Sequence, residues 1–342
     1  MENKLVYIGF AFLHHKGTHA GYHQIKEHLK YDFYIDCQNY HDKSQRKFGE
    51  WNVFIKLWRK ILSHVFHVSS IPWYIFRILW LNAIHHNLVF HYIYGENTFF
   101  PWTKKLMRKS NKVVCTLHQP YTFFQKSQRW KKLIRNTDYI ILVGNTEVDK
   151  FKKMTGKDNV KYIPHGISTD FYSIDNSVEK EEIVLTVGNW LRDYKFADRV
   201  YKRLLDINPK LSIHIVSNPQ NRESISPSDR IKFMSAITDE QLKEEYLKCS
   251  LLFLPLTRYT ANNSLLEASA TGCKIVIASN YPDNSYIPEK YVTIVKMEED
   301  PTVEAIMTDM SKEFNKSLST FIVDNYSWNK IAQSTMIFLK SI

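Results

Sequence analysis

The sequence predicts an α/β protein built from two Rossmann-like, doubly wound domains. Its 342 residues are too many for one ordinary hydrophobic core. Short apolar runs of strand length alternate with helical patterns through both halves, which is typical of βαβ units and parallel sheets. A polar, turn-rich stretch at 164–182 separates the two series and leads into a fresh strand. We therefore predict a first domain over 1–168 and a second over 169–325.

Each predicted element follows from its own pattern. In the first half the strand-like runs are KLVYIGFAF, NLVFHYIY, KVVCTLH and YIILVG, and HAGYHQIKEHL is helical. In the second half the strand-like runs are EIVLTVG, LSIHIVS, LLFLPL, KIVIAS and VTIVK. The helical runs there are FADRVYKRLLDI, DEQLKEEYLKC and SLLEASATG.

Composition narrows the class of protein. A hydrophobic content of 44% and a charged content of 24% indicate a globular chain and not a disordered one. The four cysteines lie far apart, so we expect free thiols, buried at Cys115 and Cys273, in a reducing, cytoplasmic compartment. The first residues lead straight into a strand, so we expect no signal peptide. The sequence contains no run of about eighteen apolar residues, so we expect no membrane-spanning helix.

The formal charge of +11 is unevenly distributed. Residues 1–168 hold 26 lysines and arginines against 11 acidic residues, whereas residues 169–342 hold 20 against 24. Such asymmetry indicates an anionic partner for the first half: nucleic acid, an acidic substrate or a phospholipid surface. The alternative is a basic solvated surface without a partner. The chain lacks the sequence signatures of common nucleic-acid-binding modules, so we expect no nucleic acid.

Residues 43–67 show a basic, amphipathic helical pattern. The apolar face would hold Phe48, Trp51, Ile55, Trp58, Leu62 and Val65. A basic helix with tryptophans on its apolar face can lie in a bilayer interface, so we predict peripheral contact with an anionic membrane on the inner face of the plasma membrane. The alternative is that this stripe packs on the domain's own sheet.

Polar groups follow four predicted strands. Gly17, Thr18 and Gly21 follow the first strand, and His118 follows KVVCTL. Residues 189–195 follow TVG, and RYTANNS follows LLFLPL. Ligands in open α/β sheets bind beyond the carboxyl ends of strands, so these positions indicate an enzyme with a site between its domains.

Three blocks resemble a known family. VKYIPHGISTD at 160–170, VLTVGNWLRDYK at 184–195 and the segment 238–279 are similar, in order and spacing, to retaining GT-B-type glycosyltransferases of family four, of the bacterial glycan-assembly type. The first half resembles this family only in outline. FIVDNYSWNKIAQSTMIFLKSI looks like the family's closing helix, which we place over 326–342 and expect to cross back to the first domain.

The resemblance implies a GT-B fold with two domains facing each other across a cleft. It also implies transfer of a sugar, with retention, from a nucleotide-diphosphate sugar to a glycan or lipid-linked acceptor, as in surface polysaccharide assembly. The first domain would bind the acceptor and the second the donor. No metal or other cofactor is expected.

The resemblance also assigns residues. Lys195, assisted by Arg192 and by backbone amides, would stabilise the departing diphosphate, and His118 would lie beside the reacting sugar as a hydrogen-bond donor. Glu267 would hold the ribose diol. The remaining predicted donor-binding positions are Gly17, Asn189, Ile237, Asn262, Asn263, Ser264 and Leu265.

Several alternatives stay open. Ser264-x-x-Glu267 also reads as a helix capping box. His118 could be structural, and Lys195 an ordinary solvated lysine. Where the family usually has a glutamate and an arginine, this chain has Tyr259 and Asn189. A catalytically silent homologue that acts as a binding or partner subunit is therefore the second hypothesis.

Overall fold

The protein is described here from a computed structural model. It covers residues 3–38 without residue 16, then 60–61, 64–65, 72–258, 262–281, 286–312 and 316–342. The predicted amphipathic segment 43–67 lies outside the described residues apart from four positions, as does Tyr259. The prediction of membrane contact through that segment stays a prediction.

The chain divides into two compact units. Unit 1 comprises residues 1–164 together with 332–342, and unit 2 comprises residues 165–331. Each unit contains its own six-stranded parallel sheet with helices. The predicted fold class, two Rossmann-like α/β domains, is confirmed.

The sheet of unit 1 has the order β2-β1-β3-β4-β5-β6. Its strands are β1 (Lys4–Gly9), β2 (Phe33–Asp36), β3 (Leu88–Tyr92), β4 (Lys112–Leu117), β5 (Tyr139–Leu142) and β6 (Val160–Tyr162). All neighbouring strands are parallel. The central strands β3 and β4 are almost wholly buried, as their apolar sequences predict.

Among the described residues of unit 1, these strands are connected by the helices α1 (Ile25–His28), α2 (Tyr74–Ile84), α3 (Gly95–Thr98), α4 (Tyr121–Gln125), α5 (Gln128–Asn136) and α6 (Val148–Thr155). The same part of the chain contains 3-10 helices at Leu13–His15, Tyr22–Gln24 and Pro101–Leu106. The predicted helix HAGYHQIKEHL is therefore short, a 3-10 turn followed by α1.

The sheet of unit 2 has the order β12-β11-β10-β7-β8-β9. Its strands are β7 (Glu181–Val187), β8 (Ser212–Val216), β9 (Ile231–Met234), β10 (Cys249–Leu256), β11 (Lys274–Ser279) and β12 (Thr293–Val295). The helices are α7 (Tyr194–Ile207), α8 (Asp239–Lys248), α9 (Asn263–Ala270), α10 (Glu299–Met310) and α11 (Lys316–Tyr326). The core of this unit lies on both faces of β10, whose apolar run LLFLPL is buried.

The predicted closing helix is two helices. α11 ends at Tyr326 and α12 spans Trp328–Lys340, because Ser327 forms an isolated parallel bridge with Ile167. The last eleven residues, 332–342, belong to unit 1. Within the described part of the chain, no helix combines the length and hydropathy that crossing a bilayer requires.

All four cysteines are free and buried, as predicted for Cys115 and Cys273. Cys249 and Cys273 lie next to each other, with their sulfur atoms 3.6 Å apart.

Candidate functional site

The carboxyl ends of β7 and β10 mark the switch point of unit 2. From β7 the chain continues outward through β8 and β9, and it returns to add β10 on the other side of β7. Loops that leave the two strands therefore diverge and create a crevice, where open α/β sheets bind ligands. The loop 188–193 follows β7, and α9 begins shortly after β10.

The loop 188–193 is fastened along the end of β10. The Asp193 amide donates to the Pro255 carbonyl at 2.9 Å, and the Thr257 amide donates to the Leu191 carbonyl at 3.0 Å. The Asn189 side-chain oxygen accepts from the Ser217 hydroxyl at 2.9 Å and from the Asn218 amide. Asn189, a predicted donor-binding residue, therefore holds this loop to the end of β8.

Arg192 extends from this loop to the start of α9. Its Nη2 donates to Asn262 Oδ1 at 3.1 Å and to Ser264 Oγ at 2.8 Å. Its Nη1 and Nε donate to the carbonyls of Trp190 and Val187 at 2.7 and 3.2 Å. Burial lowers the pKa of the guanidinium, but an arginine of such high basicity stays charged at neutral pH. A fixed positive charge therefore lies at the amino end of α9.

Gly188 makes this path possible. Its φ is +115°, and a Cβ placed on it would lie 2.6 Å from the Arg192 guanidinium. Only glycine combines this backbone conformation with the close approach of the side chain.

The amino end of α9 is capped by Asn262. Asn262 Oδ1 accepts from the Leu265 amide at 3.3 Å, so this amide, a predicted diphosphate ligand, is already engaged. The Ser264-x-x-Glu267 capping-box alternative is wrong, because Ser264 lies inside the helix and donates to Asn262 Oδ1. Within the described residues, the amides of Asn263 and Ser264 and the buried Nδ2 of Asn262 have no acceptor. Donors therefore gather at this helix end.

Glu267 lies one turn into α9 and is only 3% exposed. Its Oε2 accepts from the Tyr246 hydroxyl at 2.9 Å. Burial raises the pKa of the carboxyl to about 7, although its hydrogen bond with Tyr246 and the charge of Arg192 both lower it. The carboxyl thus titrates near neutral pH.

The other predicted residues of unit 2 follow strands of the same sheet. Lys195 is exposed in the first turn of α7, where Asp193 caps the helix, and it forms no ion pair with a described carboxylate. Ile237 is half-buried in the turn after β9, next to Ala236, whose φ is +53°. Within the described residues, no hydrogen bond or ion pair joins either side chain to Arg192, Asn262 or Ser264.

In unit 1, Gly17 and His118 both follow strands near that unit's own switch point between β1 and β3. Gly17 has a φ of +77°, and a Cβ there would meet nothing within 4 Å, so the backbone conformation alone favours glycine. The ring of His118 lies against those of Tyr22 and Tyr94, with centroids 5.0 and 4.7 Å away.

One ring nitrogen of His118 is engaged inside unit 1. Its Nε2 lies 2.9 Å from the Ile93 carbonyl, which can only accept, so Nε2 carries the ring proton. Burial lowers the pKa of the imidazole to about 4, so the ring is neutral. In this tautomer Nδ1 is an acceptor, and the role of His118 as a hydrogen-bond donor to the sugar stays a prediction.

Glu96 was not predicted. It lies in α3, after β3, and its Oε1 accepts from the His118 amide at 3.0 Å. Its Oε2 is buried without a partner among the described residues, and burial raises the pKa of this carboxyl to about 7. The only sequence signal was a carboxylate in the otherwise apolar run HYIYGENTFF.

No metal centre is evident among the described residues, since no three histidine, cysteine or carboxylate side chains group together there. The expectation of a metal-independent protein stays a prediction.

Neither family models nor curated protein sequences match this chain. Solved structures are similar to it. HepE from Anabaena, in complex with UDP and glucose, gives a TM-score of 0.68 at 12% identity over 99% of this chain and 100% of that one. The lipopolysaccharide outer core galactosyltransferase WaaB gives 0.64 at 14% over 98% and 99%. Sucrose-phosphate synthase from Thermosynechococcus elongatus gives 0.60 at 17% over 80% of each chain. Together with the two six-stranded parallel sheets, these similarities show that the fold is GT-B.

Proposed function

We propose that the protein is a glycosyltransferase that moves a sugar, with retention, from a nucleotide-diphosphate sugar to a glycan or lipid-linked acceptor. The observation that carries this proposal is Arg192, whose guanidinium lies at the amino end of α9, one turn before the buried carboxyl of Glu267. A helix amino end attracts phosphate through its unpaired amides and its dipole.

The diphosphate would bind among these donors. Arg192 and the amides of Asn263 and Ser264 would contact its oxygens, and the exposed Lys195 would reach them from the first turn of α7. Negative charge on the diphosphate grows as the sugar leaves, so these interactions strengthen in the transition state and accelerate transfer. Glu267 would accept hydrogen bonds from the ribose hydroxyls, with Tyr246 holding the carboxyl in place.

The acceptor would bind to unit 1. The strong positive charge of residues 1–168 suits an anionic acceptor, such as a sugar on a lipid phosphate. HepE was solved with UDP and glucose, which supports a uridine nucleotide as the first donor to test.

The test is a thermal-shift screen of UDP, GDP and ADP and their glucose conjugates, followed by assays of donor hydrolysis and transfer. We expect at least one nucleotide to raise the melting temperature, because a ligand at about 100 times its Kd adds about 2.7 kcal/mol to the free energy of unfolding. If none of them binds, the proposal fails.

A second candidate function is a catalytically silent homologue. It is favoured by Asn189, which stands in place of the family's arginine and is engaged with Ser217 and Asn218. Nucleotide binding without hydrolysis or transfer, across a panel of acceptors, would support this alternative. Turnover by the purified chain would exclude it.

A further inference from the structure

The basic charge of unit 1 is concentrated in one stretch. Residues 104–161 hold 15 lysines and arginines against four acidic residues, a net charge of +11 that equals that of the whole chain. The remaining residues of the protein are therefore neutral in sum. A surface made by this stretch is strongly basic.

The helices of this stretch lie side by side. In the sheet, β3, β4, β5 and β6 follow one another in one direction, and right-handed connections place the intervening helices on the same face. α5 packs against α4, α6 and the 3-10 helix Pro101–Leu106. We call these four helices the basic layer.

Few cations of the stretch 104–161 form ion pairs. Lys104, Lys150 and Lys152 pair with Asp138, Glu147 and Asp158, which leaves Asp149 as the only other acid of the stretch. The other twelve cations form no ion pair with a described carboxylate. Ten of them are exposed: five in the basic layer, Lys105, Arg129, Lys132, Arg135 and Lys153, and five in the adjoining segments, Arg108, Lys109, Lys126, Lys157 and Lys161.

α5 shows how the layer is anchored in the protein. Leu133 and Ile134 are buried under it, whereas Arg129, Lys132 and Arg135 are exposed. The Arg129 guanidinium lies 5.1 Å from the centre of the half-buried Trp130 ring, and Lys126 Nζ lies 5.8 Å from that of Phe123. The apolar side of α5 is therefore used inside the unit, and its cations remain for an external partner.

From this arrangement we propose that the basic layer docks the protein on an anionic phospholipid surface. In the basic layer the other three helices pack around α5, and the four form a broad array suited to a plane of mobile phosphates. The Arg108 guanidinium donates to the carbonyls of Asn82 and Ala83. The other nine of the ten exposed cations form no ion pair with a described carboxylate and belong to several segments, which is unlike a pocket for one compact anion. Each lysine or arginine near such a surface strengthens binding to it.

A single-stranded nucleic acid fits this surface less well. Such ligands stack their bases on open aromatic faces. Phe123 and Trp130 are half-buried. Lys126 covers the ring of Phe123, and Arg129 covers the ring of Trp130. Phospholipid needs the charges alone.

The experiment is co-sedimentation of the full chain with phosphatidylcholine vesicles, with and without phosphatidylglycerol, at low and high salt. The test variant is R129E/K132E/R135E. The control is K210E/K296E/K330E, which changes the net charge equally at three exposed lysines of unit 2. Melting temperature and UDP binding are measured on every variant, so that loss of fold or of the proposed donor site is seen separately.

We expect the wild-type protein and the control to bind phosphatidylglycerol vesicles at low salt and to leave them at high salt. The test variant should bind more than tenfold more weakly, because three cations of α5 are reversed. The proposal is overturned if the wild type ignores anionic vesicles or if the test variant binds like the control. Equal loss of vesicle binding in both variants would show that overall charge alone governs binding and would overturn the proposal. In a parallel binding assay, tighter binding of RNA than of vesicles would make the basic layer a nucleic-acid surface and would also overturn it.

Discussion

Arg192 and Glu267 place opposite charges within one helical turn of the α9 amino end. The guanidinium lies at the positive end of the α9 helix dipole, which repels it. The side-chain oxygens of Asn262 and Ser264 accept hydrogen bonds from the guanidinium and offset this repulsion. An anion at this position would be attracted by both the guanidinium and the helix. The carboxyl of Glu267, by contrast, is buried beside Tyr246 and ionises only near neutral pH.

The titration of Glu267 gives a pH dependence that can be measured. Ribose hydroxyls are bound by the ionised carboxylate, and with a pKa of about 7 only about one tenth of the carboxyl is ionised at pH 6. Affinity for UDP-glucose should therefore rise up to about tenfold between about pH 6 and about pH 8, since a raised pKa delays ionisation. In Glu267→Gln this rise should disappear and the affinity should be lower at pH 8.

Glu245→Gln is the matched control. Burial alone would raise the pKa of Glu245, but the hydrogen bonds and charges of His214 and Lys232 lower it overall. This carboxyl is ionised across the whole interval, so its replacement should leave the pH dependence unchanged. Titration calorimetry at several pH values measures the affinity for UDP-glucose. If this affinity still rises with pH in Glu267→Gln, Glu267 does not belong to the donor site.

At the scale of elements, the strands predicted from sequence are those with a clear apolar run, including the short β5 and β12. The strands β2, β6 and β9 are not predicted, because FYID, VKY and IKFM each include a charged residue within a short run. All three are edge strands, so they lack the continuous apolar run of a strand buried on both faces. The sequence predicts the loop after β7. It does not predict the hydrogen bonds that hold this loop to the ends of β8 and β10, since those partners lie 28 or more residues away.

The loop 188–193 after β7 leads to a prediction about Gly188. In Gly188→Ala the added Cβ would overlap the Arg192 guanidinium and occupy an unfavourable φ, so the guanidinium must shift and its hydrogen bonds at the α9 amino end are disturbed. We expect UDP binding to weaken at least tenfold, since a charge-assisted hydrogen bond contributes about 1.5–3 kcal/mol.

Gly156→Ala is its control. Gly156 also has a positive φ, +68°, but a Cβ there meets nothing within 4 Å and the residue ends α6 in the other unit. Both variants should lose some stability from backbone strain, and only Gly188→Ala should lose affinity. Equal affinities, measured by calorimetry, would show that the position of Arg192 is immaterial to donor binding.

At the scale of the whole molecule, the chain passes between the two units near residues 164–165 and 331–332. Close to these points two segments pair: the Ile167 amide donates to the Tyr326 carbonyl at 2.8 Å, and the Trp328 amide donates to the Ile167 carbonyl at 3.2 Å. The sequence predicts a domain boundary in the polar stretch 164–182 and a closing segment over 326–342, and both stay predictions. It could not show that they touch, because about 160 residues separate the partners and no local pattern records the contact.

Gly166 and Trp328 give the last prediction, because they are packed together at this pairing. A Cβ on Gly166 would overlap the ring of Trp328, which is 2% exposed and cannot move aside. Overpacking of this kind means that Gly166→Ala should cost about 1–3 kcal/mol of unfolding free energy, and Trp328→Ala should cost about 3–5 kcal/mol. In the double variant the methyl group added at position 166 would enter the space left by the indole. Its loss of stability should therefore be smaller than the sum of the two single losses by at least about 1 kcal/mol. Urea unfolding of the four proteins measures this coupling, and additive losses would mean that the glycine is not required by the Trp328 ring.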